Sequence, residues 1–409
     1  MIERESMPCD VLIVGGGPAG LGAALELSKL GLRRVVVLER FGEAGGIPRH
    51  CGHPPFGMRE FKRVLSGPAY ARRLVQAAED AGVEIRTDTT VTAIRPGGVL
   101  ELATTSGAQT LTARRVLIAT GNRERTRAQL LAPGVRPIGV MNTGALQSMV
   151  YLEGKRPFSR PVIVGSEIVA LSALLTCRRH GIKPVAMVET RDRPQTRRID
   201  MMLARLMGVP VLAGAELLAI EGSPRVEALR LRHQGEERRL DCDGIVFSGR
   251  FTPEATVVRQ SGMALDAGTL GPEIDADGRS SDPQVFVAGN VLHPVETAGH
   301  CWDEGRRAAQ AIFRDLRKTP KAGACARIVP GAGLRYVVPQ RLGAGSAAVL
   351  NIRTDGAVRG RLVLSDAEGR ELASRSVRSY PEQPVRLRVP ALESGALMGD
   401  LTLRLDRKD

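Results

Sequence analysis

The first forty residues alternate apolar runs and glycine in an order that predicts a strand, a helix and a second strand. An apolar run at 10–14 precedes the glycine-rich sequence 15–20, and residues 21–30 carry apolar side chains at helical spacing. A further apolar run at 34–39 ends in an acid. This is the pattern of one βαβ unit, with the glycine loop between its first strand and its helix.

The glycine spacing in this loop suits the diphosphate of a dinucleotide. Gly15 permits the tight turn, Gly17 lets backbone amides approach a diphosphate where a Cβ would collide, and Gly20 lets the helix pack closely on the strand. The helix N-terminus adds partial positive charge. Glu39 stands where a carboxylate accepts hydrogen bonds from an adenosine ribose. A glycine turn without a ligand is the plainer alternative.

A second unit of the same kind is predicted for residues 160–189. The interval from its glycine, Gly165, to its final acid, Glu189, equals the interval from Gly15 to Glu39. The sequence therefore predicts two dinucleotide folds in one chain.

The loop of the second unit departs from the pattern at two positions. Glu167 stands in the place of the second glycine, and Ala170 stands in the place of the third. A carboxylate there would crowd and repel a diphosphate. We therefore expect the second fold to have lost NAD(P) binding, or to bind NAD(P) only weakly.

Beyond the segment 318–324 the pattern changes to short apolar or alternating runs separated by turn residues, which predicts a small all-β domain. This part of the chain contains no histidine, so we expect it to do docking or structural work. Its predicted strands are 334–339, 347–353, 360–364, 371–377, 385–389 and 401–405.

Composition narrows the classes of function. The chain has 409 residues and no apolar run near the ~18 needed to cross a bilayer, so we expect no membrane span. Residues 1–10 mix acids and bases before any apolar stretch, unlike an export signal, which favours the cytoplasm. The net charge of +14 is scattered among acids and only 3% of residues are aromatic, so we expect no nucleic-acid binding.

The six cysteines form no Cys-x-x-Cys pair, which excludes zinc ribbons, iron–sulfur ligation and thioredoxin-type dithiols as local sites. We expect reduced thiols and no metal. The cysteines are at positions 9, 51, 177, 242, 301 and 325.

Four segments in order resemble the two-dinucleotide-domain flavoproteins, the superfamily of glutathione and thioredoxin reductases. They are 11–39, 90–93, 119–121 and 283–290. The resemblance implies FAD as the cofactor. It also implies FAD contacts from Gly15, Gly17, Pro18, Ala19, Gly20, Glu39, Arg40, Gly46, Val91, Thr120, Gly121, Gly289, Asn290, Thr297 and Ala298.

One position departs from the superfamily. The superfamily usually has Asp after the last glycine of the second FAD motif. This chain has Asn290 there, and its side-chain amide can still donate and accept hydrogen bonds. The resemblance also implies that a helix from about Thr297 points its N-terminus at the flavin ring, where it would stabilise negative charge.

With this resemblance, the predicted fold class is α/β, with two Rossmann-like dinucleotide-binding domains and a small C-terminal all-β domain. The second dinucleotide fold is inserted in the first. We expect the FAD-binding domain at 1–150 and 251–322, a degenerate NAD(P)-binding-like domain at 151–250, and the β domain at 323–409.

A closer resemblance lies in residues 45–57, 61–62, 67–71, 289–293 and 335–340. These segments resemble the FAD-dependent subunit encoded beside glycerol-3-phosphate-dehydrogenase-like flavoproteins. They are more distantly similar to the larger subunits of opine oxidase, hydrogen cyanide synthase and heteromeric proline dehydrogenases.

This resemblance implies a subunit of a heteromeric dehydrogenase acting on a small polar metabolite such as glycerol 3-phosphate or an imino acid. The implied partners are a second flavoprotein subunit and, because this chain has no cysteine cluster, an iron–sulfur subunit for any relay through such a cluster. A stand-alone NAD(P)H-dependent flavin reductase is one alternative. A non-catalytic flavin-bearing scaffold is the other.

Histidine and cysteine concentrate in the two segments that the resemblance places around the flavin. Cys51 is either a thiolate activated by a neighbouring imidazolium or a packed, unreactive thiol. For the thiolate alternative, Cys51→Ser would retain FAD and slow turnover. His53 and His300 are either proton relays or structural histidines. The residues concerned are His50, Cys51, His53, His293, His300 and Cys301.

Two further arrangements of these residues are open. His50, Cys51 and His53 could ligate a metal, although three ligands within four residues rarely close a tetrahedron. A redox disulfide between Cys51 and Cys301 would need their Cα atoms within ~7 Å.

Overall fold

The computed structural model describes residues 3–4, 9–197, 199–317, 324–380 and 383–407. Residues 318–323 of the segment 318–324, the domain boundary predicted at 322, and most of residues 1–8 lie outside these ranges.

The helices and strands follow in chain order. The helices are α1 (Pro18–Lys29), α2 (Gly67–Asp80), α3 (Thr143–Tyr151), α4 (Ile168–Arg179), α5 (Met202–Leu206), α6 (Thr256–Gln260) and α7 (Ala298–Arg317), with 3-10 turns at Ile47–His50 and Ser394–Leu397. The strands before α7 are β1 (Glu3–Arg4), β2 (Cys9–Val14), β3 (Val35–Leu38), β4 (Glu84–Arg86), β5 (Thr90–Arg95), β6 (Val99–Thr104), β7 (Gly107–Ile118), β8 (Asn122–Glu124), β9 (Val140–Asn142), β10 (Pro161–Val164), β11 (Ala186–Glu189), β12 (Val211–Ala213), β13 (Glu216–Glu221), β14 (Ala228–His233), β15 (Glu236–Asp241), β16 (Gly244–Phe247), β17 (Phe251–Pro253) and β18 (Val285–Val287). The strands after α7 are β19 (Cys325–Pro330), β20 (Leu334–Val338), β21 (Arg341–Gly343), β22 (Ala348–Thr354), β23 (Val358–Ser365), β24 (Glu371–Ser379), β25 (Val385–Val389) and β26 (Leu401–Arg407).

The first sheet is built around five parallel strands in the order β4-β3-β2-β7-β18. Its central strands are apolar and buried on both faces, as parallel strands covered by helices must be. The N-terminal half of β7 continues beyond this sheet and pairs antiparallel with β6, which pairs with β5. The predicted glycine loop therefore lies at the carboxyl edge of β2, in the middle of the sheet.

Helices α1 and α7 pack so closely that glycine is required at their contact. A Cβ on Gly305 would lie 2.0 Å from Ala19 O, and a Cβ on Gly22 would lie 2.7 Å from Trp302 Cδ1. This contact fixes the start of α7 beside the glycine loop, although the two helices are far apart in the sequence.

The second sheet has five parallel strands in the order β12-β11-β10-β16-β9. All of them lie between β7 and β18 in the chain, so the second dinucleotide fold is inserted in the first. Two short antiparallel strands, β8 and β17, run at the two crossings between the folds. The predicted fold class is confirmed, whereas the residue boundaries of the domains stay a prediction.

The C-terminal region packs a five-stranded sheet against a three-stranded one around its own core. All six predicted strands form. The pattern missed β19, which adjoins the segment 318–324 and contains a proline, and β21, which has only three residues. Tyr336 and Val338 on β20 also belong to the core of the first sheet, so the β domain is packed onto the domain that contains this sheet.

Across the described ranges, no helix combines the length and the apolar character that a membrane crossing requires.

Candidate functional site

The loop between β2 and α1 is closed tightly at two glycines. Gly15 has a φ of +109°, and a Cβ there would lie 2.5 Å from Ala119 O. A Cβ on Gly20 would lie 2.0 Å from Gly15 O, so the first turn of α1 sits directly against the end of β2. Both positions need glycine for the reasons that the sequence predicted.

Gly17 is different, because the space beside it is open. A Cβ on Gly17 would meet only Gly46 Cα, at 3.9 Å. The first hydrogen bond of α1 joins Leu21 N to Gly17 O at 2.9 Å, so the amides of Ala19 and Gly20 have no acceptor within the helix. An open cradle with free helix-terminal amides is the arrangement that binds an anionic diphosphate.

The wall of this cradle is formed by the loop that contains Gly46. Gly46 has a φ of +63°, and a Cβ there would lie 2.9 Å from Gly17 Cα. The Gly45 amide donates to Gly16 O at 2.7 Å. Pro18 begins α1 at the position where its missing N–H costs no helical hydrogen bond.

Glu39 is held at the end of β3 with its carboxylate beside the glycine loop. Its side chain accepts from the Gly16 amide at 2.9 Å and from the Phe41 amide at 3.0 Å. A carboxylate oxygen accepts more than one hydrogen bond, so Glu39 can still take the hydroxyls of a ribose. Arg40 follows Glu39, and its side chain is half exposed. Its Nη1 lies 3.7 Å from Glu254 Oε2.

Three more of the predicted cofactor residues precede the second fold, two of them just after β7 and one on β5. Thr120 Oγ1 donates to Glu254 O at 2.7 Å, and a Cβ on Gly121 would meet no atom within 4 Å. Val91 is on β5 and is partly buried against the hydrophobic core of the first sheet. Gly121 follows Ala119 by two residues, and Ala119 is the residue that lies against Gly15. The open space at Gly121 is therefore close to the glycine loop in the chain turn after β7.

Gly289 brings the second predicted FAD motif against α1. It has a φ of +86°, and a Cβ there would lie 2.8 Å from Ala19 Cβ. Its amide donates to Glu304 Oε2 at 2.8 Å, and Glu304 Oε1 lies 2.9 Å from His293 Nε2. Burial opposes both charges, but the mutual contact outweighs it, so the pKa of His293 is raised and the pKa of Glu304 is lowered.

The side-chain amide of Asn290 is hydrogen-bonded within its own loop, and its predicted contact with FAD stays a prediction. Its Nδ2 donates to Glu296 O at 3.1 Å, and its Oδ1 accepts from the Glu296 amide at 2.8 Å. An aspartate could make only the second of these bonds, because it has no donor when ionised. Because this position is Asn and not Asp, its side chain can join the two ends of the loop 290–296 by two hydrogen bonds.

Thr297 and Ala298 lie at the start of α7. The His300 amide donates to Thr297 Oγ1 at 3.4 Å, so Thr297 caps the helix. Ala298 is the first helical residue. The open cradle, the Glu39 carboxylate and this helix N-terminus meet at one edge of the first sheet, and their donors and acceptors fit FAD.

Cys51 is a packed thiol. It is 9% exposed, and burial together with the Glu124 carboxylate raises its pKa to about 12. Its Sγ lies 3.5 Å from Gln147 Oε1 on α3. The alternative of a thiolate activated by a neighbouring imidazolium is therefore not supported. Burial and the Arg49 charge lower the pKa of His50 to about 4, so this ring is neutral.

His53 is held at the contact between the two folds. Its Nε2 lies 2.6 Å from Ser172 Oγ on α4, and its Nδ1 lies 3.0 Å from Pro54 O. Beside it, Arg179 Nη1 donates to Gly52 O at 3.0 Å. These partners favour the structural alternative for His53.

His300 has a separate set of partners at the start of α7. Its Nε2 lies 2.8 Å from Arg59 Nη2, and its Nδ1 lies 3.1 Å from Thr297 Oγ1 and 3.3 Å from Glu296 Oε2. Burial and the Arg59 charge lower its pKa. His300 is thus the predicted catalytic residue that lies nearest the start of α7, and His53 and Cys51 belong to the contact with the second fold.

The other two arrangements of these residues do not form. Within the described ranges, no three His, Cys, Asp or Glu side chains are grouped to hold a metal ion. Cys51 and Cys301 are both free thiols, and burial raises the pKa of Cys301 well above its usual value.

Thiol labelling should distinguish the cysteines. Cys325 is exposed, and the other five thiols are buried. We expect iodoacetamide at pH 8 to modify Cys325 in the native protein and to leave Cys51 unmodified, because alkylation needs an accessible thiolate. Peptide mass spectrometry gives the modified positions, with the urea-unfolded protein as the control in which all six react. Rapid native labelling of Cys51 would restore the activated-thiolate hypothesis.

Several residues of the site were not singled out from the sequence. Glu304 follows His300 by one helical turn, and this spacing could have placed it on the same face of α7. Glu124 is buried on β8, and burial raises its pKa to about 7 although the Gly144 and Gly249 amides donate to it. Arg353, from the β domain, has no local pattern that points to this site.

The cradle of the second fold is filled by its own side chain. A Cβ on Gly165 would lie 2.6 Å from Glu167 Oε2, and a Cβ on Gly249 would lie 2.5 Å from Glu167 Cδ. The carboxylate therefore lies between the turns after β10 and β16, and the cavity beside it measures about 50 Å³. Glu189, at the end of β11, accepts from Ser166 Oγ and from the Arg191 amide.

The comparison with known proteins agrees with this geometry. The family model for pyridine nucleotide-disulphide oxidoreductases matches residues 9–305, from β2 into α7. The chain belongs to this family. The predictions of an FAD-dependent oxidoreductase and of FAD as the cofactor are confirmed.

Proteins that are similar to this chain carry the names of different oxidases and reductases. One subunit of the opine oxidase of Rhizobium meliloti is 26% identical over 355 residues, which cover 78% of this chain and 65% of the relative. This chain thus spans less than two thirds of that relative. The probable ferredoxin reductase CtmF of Castellaniella defragrans is 28% identical, over 76% of this chain and 77% of the relative. The thioredoxin reductase of T. acidophilum shares the fold, with a TM-score of 0.63 and 22% identity over 76% of this chain and 99% of that protein.

Proposed function

We propose that this chain is the FAD-binding, electron-transferring subunit of a heteromeric dehydrogenase. The observation that carries the proposal is the difference between its two dinucleotide cradles. The space beside Gly17 is open, whereas the equivalent space in the second fold holds the Glu167 carboxylate. A chain that binds FAD and cannot take NAD(P)H must exchange electrons with something else.

In this proposal the chain's own residues bind and orient the cofactor. The amides at the start of α1 hold the diphosphate, and Glu39 accepts from the adenosine ribose. The N-terminus of α7, capped by Thr297, stabilises negative charge on the flavin ring. FAD, when bound, supplies hydride or single-electron transfer.

The proposed partner is a second flavoprotein subunit that oxidises the substrate, with an iron–sulfur subunit where a cluster relay is needed. The similarity to one subunit of opine oxidase supports a multi-subunit enzyme. A small polar metabolite, such as glycerol 3-phosphate or an imino acid, is the proposed substrate class. The resemblance of the segment 45–57 to subunits encoded beside glycerol-3-phosphate-dehydrogenase-like flavoproteins supports this choice.

Anaerobic reduction of the flavin tests the proposal. We expect the purified chain to keep its oxidised flavin spectrum with NADH or NADPH at micromolar concentrations, and to be reduced by substrate only when the products of the neighbouring genes are present. Flavin absorbance near its visible maximum reports both results.

Two outcomes would replace the proposal. Rapid reduction of the isolated chain by NADH or NADPH would identify a stand-alone reductase, the alternative that the similarity to a ferredoxin reductase favours. A bound flavin that no combination of reductant and partner reduces would identify a non-catalytic scaffold.

A further inference from the structure

One buried arginine extends from the C-terminal β domain into the flavin domain. Arg353, on β22, is 3% exposed. Its Nη2 donates to Val295 O at 2.7 Å and to Glu296 Oε1 at 2.9 Å, and its Nε donates to Tyr336 Oη at 3.2 Å. The guanidinium is thus oriented by its own domain and bound to the loop 290–296 of the other.

Glu296 connects this arginine to the start of α7. Its side chain is 6% exposed, with Oε1 on Arg353 and Oε2 3.3 Å from His300 Nδ1. The backbone of Glu296 is fixed as well, because Asn290 bonds to both its amide and its carbonyl. The backbone of Glu296 is therefore held by Asn290, and its carboxylate is held by Arg353 and His300.

Among Arg353, Glu296 and His300, histidine is the residue type whose charge ordinarily changes near neutral pH. His300 faces a carboxylate on the loop, two arginines from other elements and an acid on its own helix, and it is 25% exposed. Arg59 Nη1 donates to that acid at 2.6 Å, so the arginine nearest the ring is itself balanced. The charged groups that act on His300 are Arg59, Glu296, Asp303 and Arg386.

The charge balance of this cluster depends on Arg353. A buried carboxylate is stable as an ion when it is paired and hydrogen-bonded, and removing one partner leaves an uncompensated charge. Without Arg353, the Glu296 carboxylate would keep only its contact with His300 of these two ion pairs. A positive charge near an imidazole disfavours its protonated form, and Arg353 also shares the carboxylate that favours that form, so the pKa of His300 would rise when Arg353 is removed.

We propose that Arg353 is a positioning residue of the flavin site, which holds Glu296 and thereby sets the orientation and protonation of His300 at the start of α7. The β domain then takes part in the flavin chemistry. This inference rests on the proposed function, because it places the flavin beside the N-terminus of α7.

The test is the pH dependence of the flavin midpoint potential in the full chain with FAD bound. We expect the wild type to show an inflection from His300 that His300→Gln removes. Arg353→Met should move this inflection to higher pH by about one unit or more, because Glu296 loses its other cation. Arg353→Lys, which keeps the charge, should give a smaller shift in the same direction.

The matched control is Arg359→Met, an arginine on β23 whose side chain is exposed. It removes the same charge from the same domain and should leave the inflection in place. Glu296→Gln should move the inflection the other way, to lower pH, because His300 loses its carboxylate. A structural role of Arg353 alone would lower the melting temperature without moving the inflection.

Three results would overturn the inference. The first is an Arg353→Met protein that retains FAD and has the wild-type inflection. If that variant does not fold, an unshifted inflection in Glu296→Gln is equally decisive. A wild-type chain that binds no FAD would overturn the proposed function and the inference together, whereas FAD binding with unshifted variants overturns the inference alone.

Discussion

A chain with Gly17→Glu should fold normally and purify without colour. The space beside Gly17 is open, since a Cβ there would meet only Gly46 Cα at 3.9 Å. The protein itself can therefore accept a side chain at this position. The new carboxylate would lie where the FAD diphosphate must approach, as the Glu167 carboxylate lies in the second fold.

The expected effect on FAD binding is large. Juxtaposed like charges cost several kcal/mol in a binding site, and about 4 kcal/mol corresponds to roughly a thousandfold in affinity. The flavin-to-protein absorbance ratio after gel filtration, with and without added FAD, measures the loss. Circular dichroism and the melting temperature of the apoprotein show whether the fold is retained.

Gly17→Ala is the matched control for the charge. A methyl group fits the protein but still approaches the diphosphate, so we expect weaker FAD binding than in the wild type and a far smaller loss than with glutamate. A yellow Gly17→Glu protein with a full complement of FAD would contradict the assignment of the cradle.

The order of elements could be predicted because it depends on local period. Buried runs at β2 and β3 predicted parallel strands, and the period of residues 21–30 predicted α1, which begins earlier, at Pro18. The glycine positions were predictable too, because each one relieves a steric conflict that any fold of this type creates. Periodicity did not show that α1 begins at Pro18, because the first turn of the helix contains proline and glycine.

The candidate site could be predicted only where it is built from one segment. The partners of Asn290 and Arg353 are six and 57 residues away, and a contact at such separation leaves no periodic signal. Cys51 shows the same limit in another form. Its neighbours in the sequence are histidines, but the pKa of its thiol is set by burial against α3 of the second fold, which the local pattern does not contain.

Replacing Glu167 by glycine should give the second fold a measurable affinity for NADH or NADPH. Apart from Ala170 in the place of the third glycine, which is buried within the intact α4, the rest of that cradle retains the required parts. Gly165 has a φ of +130° at the turn, and α4 begins directly after Glu167. Glu189 is the last residue of β11, and Glu39 directly follows β3. The side chain at 167 is what fills the space between the two turns.

The gain should be about 3 kcal/mol or more, which is at least roughly a hundredfold in affinity, because a buried like charge and its volume are both removed. Binding is measured by quenching of NADH fluorescence or by calorimetry, so the result does not depend on electron transfer to the flavin. Glu167→Gln separates the two causes, since it removes the charge and keeps the volume.

The double variant Glu167→Gly, Glu189→Ala locates the gained site. If the nucleotide occupies the opened cradle, losing the acceptor at the end of β11 should reverse most of the gain, because the ribose hydroxyls lose their partner. A Glu167→Gly protein that binds NADH no better than the wild type would show that the second fold is closed by more than one side chain. The difference between the two cradles would then no longer rest on position 167.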